Sequence, residues 1–207
     1  MEQGSLANYK LFGAAAEVDL EGVRTTAGDF NLGDLGERVV AVNGNLLRDL
    51  QRHNPKLLPT ITVCVSIDHA HEVAKLYNSS GIPAEVVIGT SSAAERASAF
   101  ERFTAGDLKV IVSVALIDEG LDLPAATCLQ LVRPTRSLRL WKQLVGRVLR
   151  PSPGKEHAIL IDIAVQHDQD LYEAARSDQD SLLHQQIQEG GEFFDLFESL
   201  PQLLDEA

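Results

Sequence analysis

Apolar and polar positions follow two rhythms along this chain. Between Leu35 and Leu50, apolar residues fall at 35, 39, 42, 46, 47 and 50. That spacing keeps one helix face apolar. Asp34 stands where an N-cap would, and Pro55 and Pro59 close the segment. From Thr60 the rhythm changes. Thr60–Ser66 is a short β-branched run, the pattern of a parallel strand buried on both faces. Asp68 is expected to cap a helix reaching Asn78, with Gly81 ending it. Ala84–Ile88 reads as a second strand. Ser91 or Ser92 then caps a helix to Phe103, with Glu95 placed for a capping box. Gly106-Asp107 turns the chain into a third strand, Leu108–Ser113. Ala126–Val132 reads as a fourth strand, Leu138–Leu149 as a helix and His157–Asp162 as a fifth strand. Strands alternating with helices of about 10–15 residues predict βαβ units. The expected class is α/β, a mainly parallel sheet of about five or more strands flanked by helices.

The flanks differ from this body. Residues 1–55 read as an N-terminal arm and linker helix, with a short strand at Tyr9–Phe12 and Gly4, Gly13, Gly22, Gly28 and Gly33 between weakly periodic segments. Residues 166–207 read as an acidic C-terminal tail. There Leu171–Ala175 and Leu182–Ile187 have the pattern of acidic helices, and Phe193–Phe197 is an apolar knot suited to docking on the body or to binding a partner. The formal charge is −12, but 11 of the 30 acidic residues and only one of the 18 basic ones lie from Gln166 onward. The tail therefore holds −10 and the body −2, so an acidic whole-chain balance does not exclude a nucleic-acid partner. A −10 tail beside the basic residues Arg133, Arg136 and Arg139 also raises tail autoinhibition as an expectation.

Composition excludes several other classes. No run of 18 apolar residues is present, and the first residues lack the basic and apolar regions of a signal peptide. Cys64 and Cys128 sit in apolar strand-like runs and read as buried thiols of a cytoplasmic protein. His69 and His71 are two apart and share no helix face, so no metal site is expected.

Candidate chemistry concentrates in Leu140–Pro151, where Gln143, Gly146, Arg147 and Arg150 form a Q-x-x-G-R-x-x-R pattern. Arginines three apart share a helix face, and two forked donors suit a phosphate chain or a carboxylate. The plainer reading is a solvated basic face with salt bridges. Upstream, Ser113 ends a strand and the Glu119–Pro124 loop follows it, beyond the carboxyl end where open α/β sheets bind ligands. Gly120 permits close backbone approach, Asp122 could accept from a ribose hydroxyl, and the Ser113 hydroxyl could meet a phosphate. The plainer reading of that loop is an ordinary turn. Arg133, Arg136 and Arg139 cluster before the arginine helix, either lining a cleft or standing in solvent. Trp141 is read as packing rather than base stacking. No G-x-x-x-x-G-K-[ST] occurs, because Gly154-Lys155 lacks the upstream Gly and a following Ser or Thr. No D-E-A-D or D-E-x-H box occurs either.

Together these segments, from about Thr60 to Asp162, resemble the second RecA-like domain of superfamily 2 DEAD/DEAH-type helicases and translocases. Thr60–Ser66 is similar to motif IV, Ser113–Pro124 to motif V (with Ser where Thr is more usual) and Gln143–Arg150 to motif VI. Leu131–Leu138 is like the prophage and repair-type branch, and Gly28-Asp29-Phe30 with the Asn43-Gly44 helix resembles the linker preceding that domain. The resemblance makes residues 56–165 a helicase C-terminal RecA-like domain. It implies that Arg150 is an arginine finger towards ATP, that Arg147 supports the phosphates or pairs with the other domain, and that Gln143 couples nucleotide to closure. Glu119, Gly120 and Asp122 would lie near the nucleotide, and Ser66, Gly89 and Ser113 near the nucleic-acid backbone, with DNA ahead of RNA. The phosphate loop and Mg²⁺-holding carboxylate would come from a first RecA-like domain, on the same full-length chain or a separate one. Whether this chain is itself an enzyme is thus open. ATP and Mg²⁺ are expected only in the complete two-domain enzyme, and no ATPase activity or duplex unwinding in this chain alone. The competing reading is a non-enzymatic nucleic-acid or protein interaction module whose acidic tail binds a partner or mimics DNA.

Overall fold

The computed structural model describes residues 9–14, 18–114, 125–148, 150, 152 and 155–163. Eight strands and five helices follow one another: β1 (Tyr9–Gly13), β2 (Thr25–Thr26), β3 (Asp29–Phe30), α1 (Leu32–Val40), α2 (Asn43–His53), β4 (Thr60–Val63), α3 (Ile67–Ser79), β5 (Ala84–Val86), α4 (Ala93–Ala105), β6 (Val110–Ser113), β7 (Cys128–Leu131), α5 (Leu138–Val148) and β8 (Ala158–Asp162). Six strands form one sheet in the order β1-β8-β7-β4-β6-β5, with every neighbouring pair parallel. β2 and β3 form a separate antiparallel hairpin.

β4, β6, β7 and β8 are buried along their whole length. That is why their sequences run apolar and β-branched instead of alternating. On one face α4 and α5 bring Ala99, Phe103, Trp141, Leu144, Val145 and Val148 into the core. On the other, α1, α2 and α3 contribute Leu35, Val39, Leu46, Leu50, Val73 and Tyr77. Burying such aliphatic and aromatic side chains stabilises the fold by about 1.5–3 kcal/mol each. The segment read as an arm supplies the edge strand β1, in register with β8 from Tyr9 opposite Ala158 to Gly13 opposite Asp162. Phe12 also stacks on His53 at the end of α2, with ring centroids 4.2 Å apart.

Several local expectations change. The apolar stripe from Leu35 to Leu50 belongs to two helices, broken at Ala41-Val42. Both helices bury the same side, so spacing hides the break, while Asn43-Gly44-Asn45 is a weak helical stretch. Asn31, not Asp34, caps α1, its side chain accepting from the amides of Gly33 at 3.0 Å and Asp34 at 3.2 Å. Asp34 is drawn instead to Arg24 at 2.8 Å, which holds its carboxyl near 2. Ser66, not Asp68, caps α3, its hydroxyl accepting from the His69 amide at 3.1 Å. Asp68 then sits in the first turn, where a negative charge suits the helix dipole. α4 opens on Ser92 with the full capping box to Glu95. The residues from 164 onward, including the tail helices and the Phe193–Phe197 knot, lie outside the described residues. No helix among the described residues is long and apolar enough to cross a membrane.

Candidate nucleotide and nucleic-acid site

A parallel sheet puts all carboxyl ends of its strands on one edge. At that edge β5, β6 and β4 lie side by side, with Val86 opposite Val112 and Val63 opposite Ser113. The Cys64 amide donates to the Ser113 carbonyl at 2.7 Å, and the Val87 amide to the Val112 carbonyl at 2.9 Å. The loops after these strands carry Ser66 and Gly89, both exposed, while Ser113 itself is buried. The structure thus brings all three candidate nucleic-acid residues to one edge. Ile67, 45% exposed, stands beside Ser66 at the start of α3. Glu119, Gly120 and Asp122, like Asp118, lie outside the described residues.

The arginine helix α5 follows β7 and runs back across the sheet. Trp141, Leu144, Val145 and Val148 form its inner stripe, all buried. Trp141 is therefore a core side chain, as its place in the pattern implied. Gln143 on α5 is exposed and Gly146 half-buried, and Arg150, two residues beyond the end of the helix, is exposed. Arg147 shares α5, but its side chain is outside the described residues.

Both ends of α5 are fastened. At the carboxyl edge, Asp29 of β3 accepts from the Thr135 hydroxyl at 2.9 Å and from the Arg136 amide at 2.7 Å. The Thr135 oxygen accepts from the Ser137 amide at 3.0 Å, and the Ser137 hydroxyl from the Leu140 amide at 3.3 Å, so the chain of bonds reaches the first turn of α5. Arg133 lies 3.7 Å from Asp29. Burial pushes its guanidinium down and Asp29 opposes that shift. Its Nε is buried without a hydrogen-bond partner among the described residues. Arg136 is exposed, 5.9 Å over the Phe30 ring, and Arg139 is exposed. At the other end, Lys155 Nζ donates to the carbonyls of Ala126, Val148 and Arg150. Ala126 precedes β7, so the main chain at Arg150 lies at the amino edge, opposite Ser66 and Ser113. A four-residue strand spans about 13 Å, and this separates the two sets.

Comparison with known proteins decides the family. The helicase conserved C-terminal domain matches residues 43–152, more than half of the chain. The chain belongs to this helicase C-terminal domain family. Among curated relatives, "Putative ATP-dependent helicase IRC3" of Saccharomyces cerevisiae is 32% identical over 162 residues, 76% of this chain and 23% of that protein. The chain thus spans about a quarter of that relative's length. Two solved structures share the fold. The fragment structure of a putative HsdR subunit of a type I restriction enzyme from Vibrio vulnificus aligns with a TM-score of 0.58 at 21% identity, over 86% of this chain and 35% of that one. The E. coli DEAD-box protein SrmB, bound to regulator of ribonuclease activity A, aligns with a TM-score of 0.53 at 19% identity, over 80% and 81%. The six-stranded parallel sheet is accordingly a RecA-like α/β fold.

Within this helicase domain the remaining polar groups are structural. Gln130 on β7 is fully buried. It accepts from Tyr77 Oη and from Thr62 Oγ1 and donates to the Leu46 carbonyl at 2.9 Å, which ties α2 and α3 to the sheet. His69 is buried between the Val65 amide and Asn43, and desolvation lowers it to about 4. Burial raises the Cys128 thiol to about 12 and the Cys64 thiol further. Both thiols are free, and no group of metal-ligating side chains occurs among the described residues. Sequence reasoning missed Asp29, Gln130 and Lys155 as site-building residues. Asp29 was visible within the linker-like Gly28-Asp29-Phe30, and Lys155 within Gly154-Lys155, but the Asp29 partners lie far along the chain and those of Lys155 are main-chain groups, which leave no mark on residue type.

Proposed function

We propose that this chain is the C-terminal motor domain of a superfamily 2 ATP-dependent nucleic-acid helicase or translocase. It supplies motifs IV, V and VI to an ATP site completed by a first RecA-like domain. The observation that carries this reading is the exposure of Gln143 on α5 and of Arg150 just beyond its end. The inner stripe of α5 is buried, while Gln143 and Arg150 are both exposed. At these exposed positions they would meet a nucleotide held on another domain. With no G-x-x-x-x-G-K-[ST] in the chain, that other domain would hold ATP and Mg²⁺. ATP supplies the phosphoryl group; Arg150 would stabilise the charge that develops on it, and Arg147 would support the phosphates. Gln143 would couple the nucleotide to domain closure. An arginine finger contributes about 10³–10⁵ in rate, or about 4–7 kcal/mol. Ser66 and Gly89, with Ser113 behind them, would face the nucleic-acid backbone, where main-chain amides and hydroxyls position phosphates without reading sequence.

The test is to follow ATP turnover and single-stranded DNA binding at low salt, with this chain alone and joined to its first RecA-like domain. Turnover is expected only in the joined form and lost with Arg150→Ala. Turnover in a clean preparation of this chain alone, abolished by that same substitution, would refute the reading. Binding without turnover in every combination would leave an interaction module and remove the arginine-finger assignment.

A further inference from the structure

Five residues beyond Arg150, Lys155 turns back under the end of α5. Its Nζ donates to the Ala126 carbonyl at 2.5 Å, to the Val148 carbonyl and to the Arg150 carbonyl at 3.0 Å. A lysine ammonium carries three N–H donors, and here each has an acceptor. The last carbonyls of a helix lack intrahelical partners and carry the negative end of its dipole, so a cation satisfies both needs. The third contact lies elsewhere in the fold. Ala126 leads into β7, whose neighbouring Thr127 amide is held on the Pro59 carbonyl at 2.8 Å. Lys155 therefore joins the main chain of Arg150 to the amino edge of the central strands.

We infer that Lys155 is a positioning residue for Arg150, pinning the backbone from which that side chain projects so that it meets the nucleotide at a fixed place. The inference rests on the proposed role of Arg150. An ordinary helix cap would need only the last-turn carbonyl of Val148. The bond to Arg150 itself and the anchor on Ala126 are what a positioning role requires. Chemistry limits replacement. Methionine keeps much of the apolar stem and loses the donors. Arginine keeps the charge, but its planar fork cannot aim three donors from one atom. Lys155 lines a groove of about 680 Å³ together with His53 at the end of α2, Lys56 from the α2–β4 connection, and Glu156 and His157 beside it. Burial there lowers the ammonium to about 8. A neutral amine has two donors, so one of the three carbonyls loses its bond above that pH.

Two measurements test this. In the chain as it stands, Lys155→Met should speed amide hydrogen exchange in the last turn of α5 at least tenfold and leave β4 and β6 unchanged. In the enzyme joined to its first domain, the same substitution should lower kcat about 100-fold, the scale of an ångström-level misplacement, with KM unchanged. Added to Arg150→Ala it should cost less than a further twofold. Wild-type turnover should fall as pH rises through about 8, and that limb should be absent in Lys155→Met. Lys155→Arg, which retains the charge, should fold and show an intermediate loss. Unchanged exchange in α5, full turnover in Lys155→Met, or losses that multiply in the double variant would each overturn the inference. An active Arg150→Ala enzyme would instead overturn the proposed function, whatever the exchange result.

Discussion

Replacing Asp29 with alanine should destabilise this domain far more than its place in a two-residue strand suggests. Besides a local bond from the Phe30 amide at 2.9 Å, the carboxylate accepts two long-range hydrogen bonds, from the Thr135 hydroxyl at 2.9 Å and the Arg136 amide at 2.7 Å. Bonds to a charged group contribute about 1.5–3 kcal/mol each when mostly shielded. Asp29 and Arg133 side chains are 19% and 16% exposed, so solvent weakens the pair only in part. Deleting the carboxylate also leaves Arg133, whose Nε already lacks a partner, without its counter-charge. Taking the lower end for the two bonds together gives a loss of about 3 kcal/mol. At about 2–4 °C per kcal/mol for a chain of this size, Tm falls by about 6–12 °C. Asp29→Asn keeps one accepting oxygen and should lose about half as much. Thermal unfolding by circular dichroism reads the stability, and amide exchange at Arg136 and in the first turn of α5 reads the location. A Tm within 1 °C of wild type for Asp29→Ala, with unchanged exchange at Arg136, would show that the clasp does not hold α5.

Two further outcomes follow from buried polar groups. Gln130→Leu keeps the volume but strands Tyr77 Oη, the Thr62 hydroxyl and the Leu46 carbonyl; urea unfolding should show a loss of about 2–4 kcal/mol, partly recovered by adding Tyr77→Phe, and a loss under 0.5 kcal/mol would contradict the network. His69 and His53 are both lowered from 6.5 to about 4 by desolvation. The unfolded chain therefore takes up protons below pH 6.5 that the folded chain refuses until about pH 4. Stability is full above pH 6.5 and falls as pH drops through that window, by up to about 1.4 kcal/mol per pH unit for the buried His69 and by less for the half-buried His53, which solvent screens. His69→Gln should make the decline shallower and leave the His53 contribution, and identical pH slopes in the two proteins would sink this account.

The strands of the sheet were legible because they are buried on both faces, which forces uninterrupted β-branched runs such as Thr60–Val63 and Val110–Ser113. The α4 start was legible because a capping box is a local exchange between Ser92 and Glu95. At the starts of α1 and α3 the expected caps, Asp34 and Asp68, are not the ones the structure uses. Asp34 lost to Asn31 because Arg24, ten residues upstream, claims its carboxylate. The pairing of β1 with β8 joins opposite ends of the described chain, and no local spacing encodes it. For the site, the exposure of Gln143 and the inner placing of Trp141 followed from helical period. The separation of Ser113 from Arg150 did not. Chain order sets their segments close together, whereas the strand and helix between them carry them to opposite edges.

That separation constrains how the proposed motor could work. α5 has 11 residues and so is about 16 Å long. It reaches from the loop beside the candidate nucleic-acid edge to the amino edge where Arg150 begins. Its inner stripe of Trp141, Leu144, Val145 and Val148 is buried in a close-packed core. Asp29 holds one end by two hydrogen bonds and Lys155 the other by three. Sliding α5 alone would break the two Asp29 bonds and the two Lys155 bonds to Val148 and Arg150, at about 1 kcal/mol or more each, and expose side chains whose burial contributes about 1.5–3 kcal/mol apiece. The sum is comparable with the whole stability of a domain, about 5–15 kcal/mol. A strand bound at Ser66 and Gly89 would then move Arg150 only by moving the entire domain. In the proposed two-domain enzyme, nucleic acid and nucleotide are coupled by rigid-body closure, with the sheet and its fastened helix as the lever.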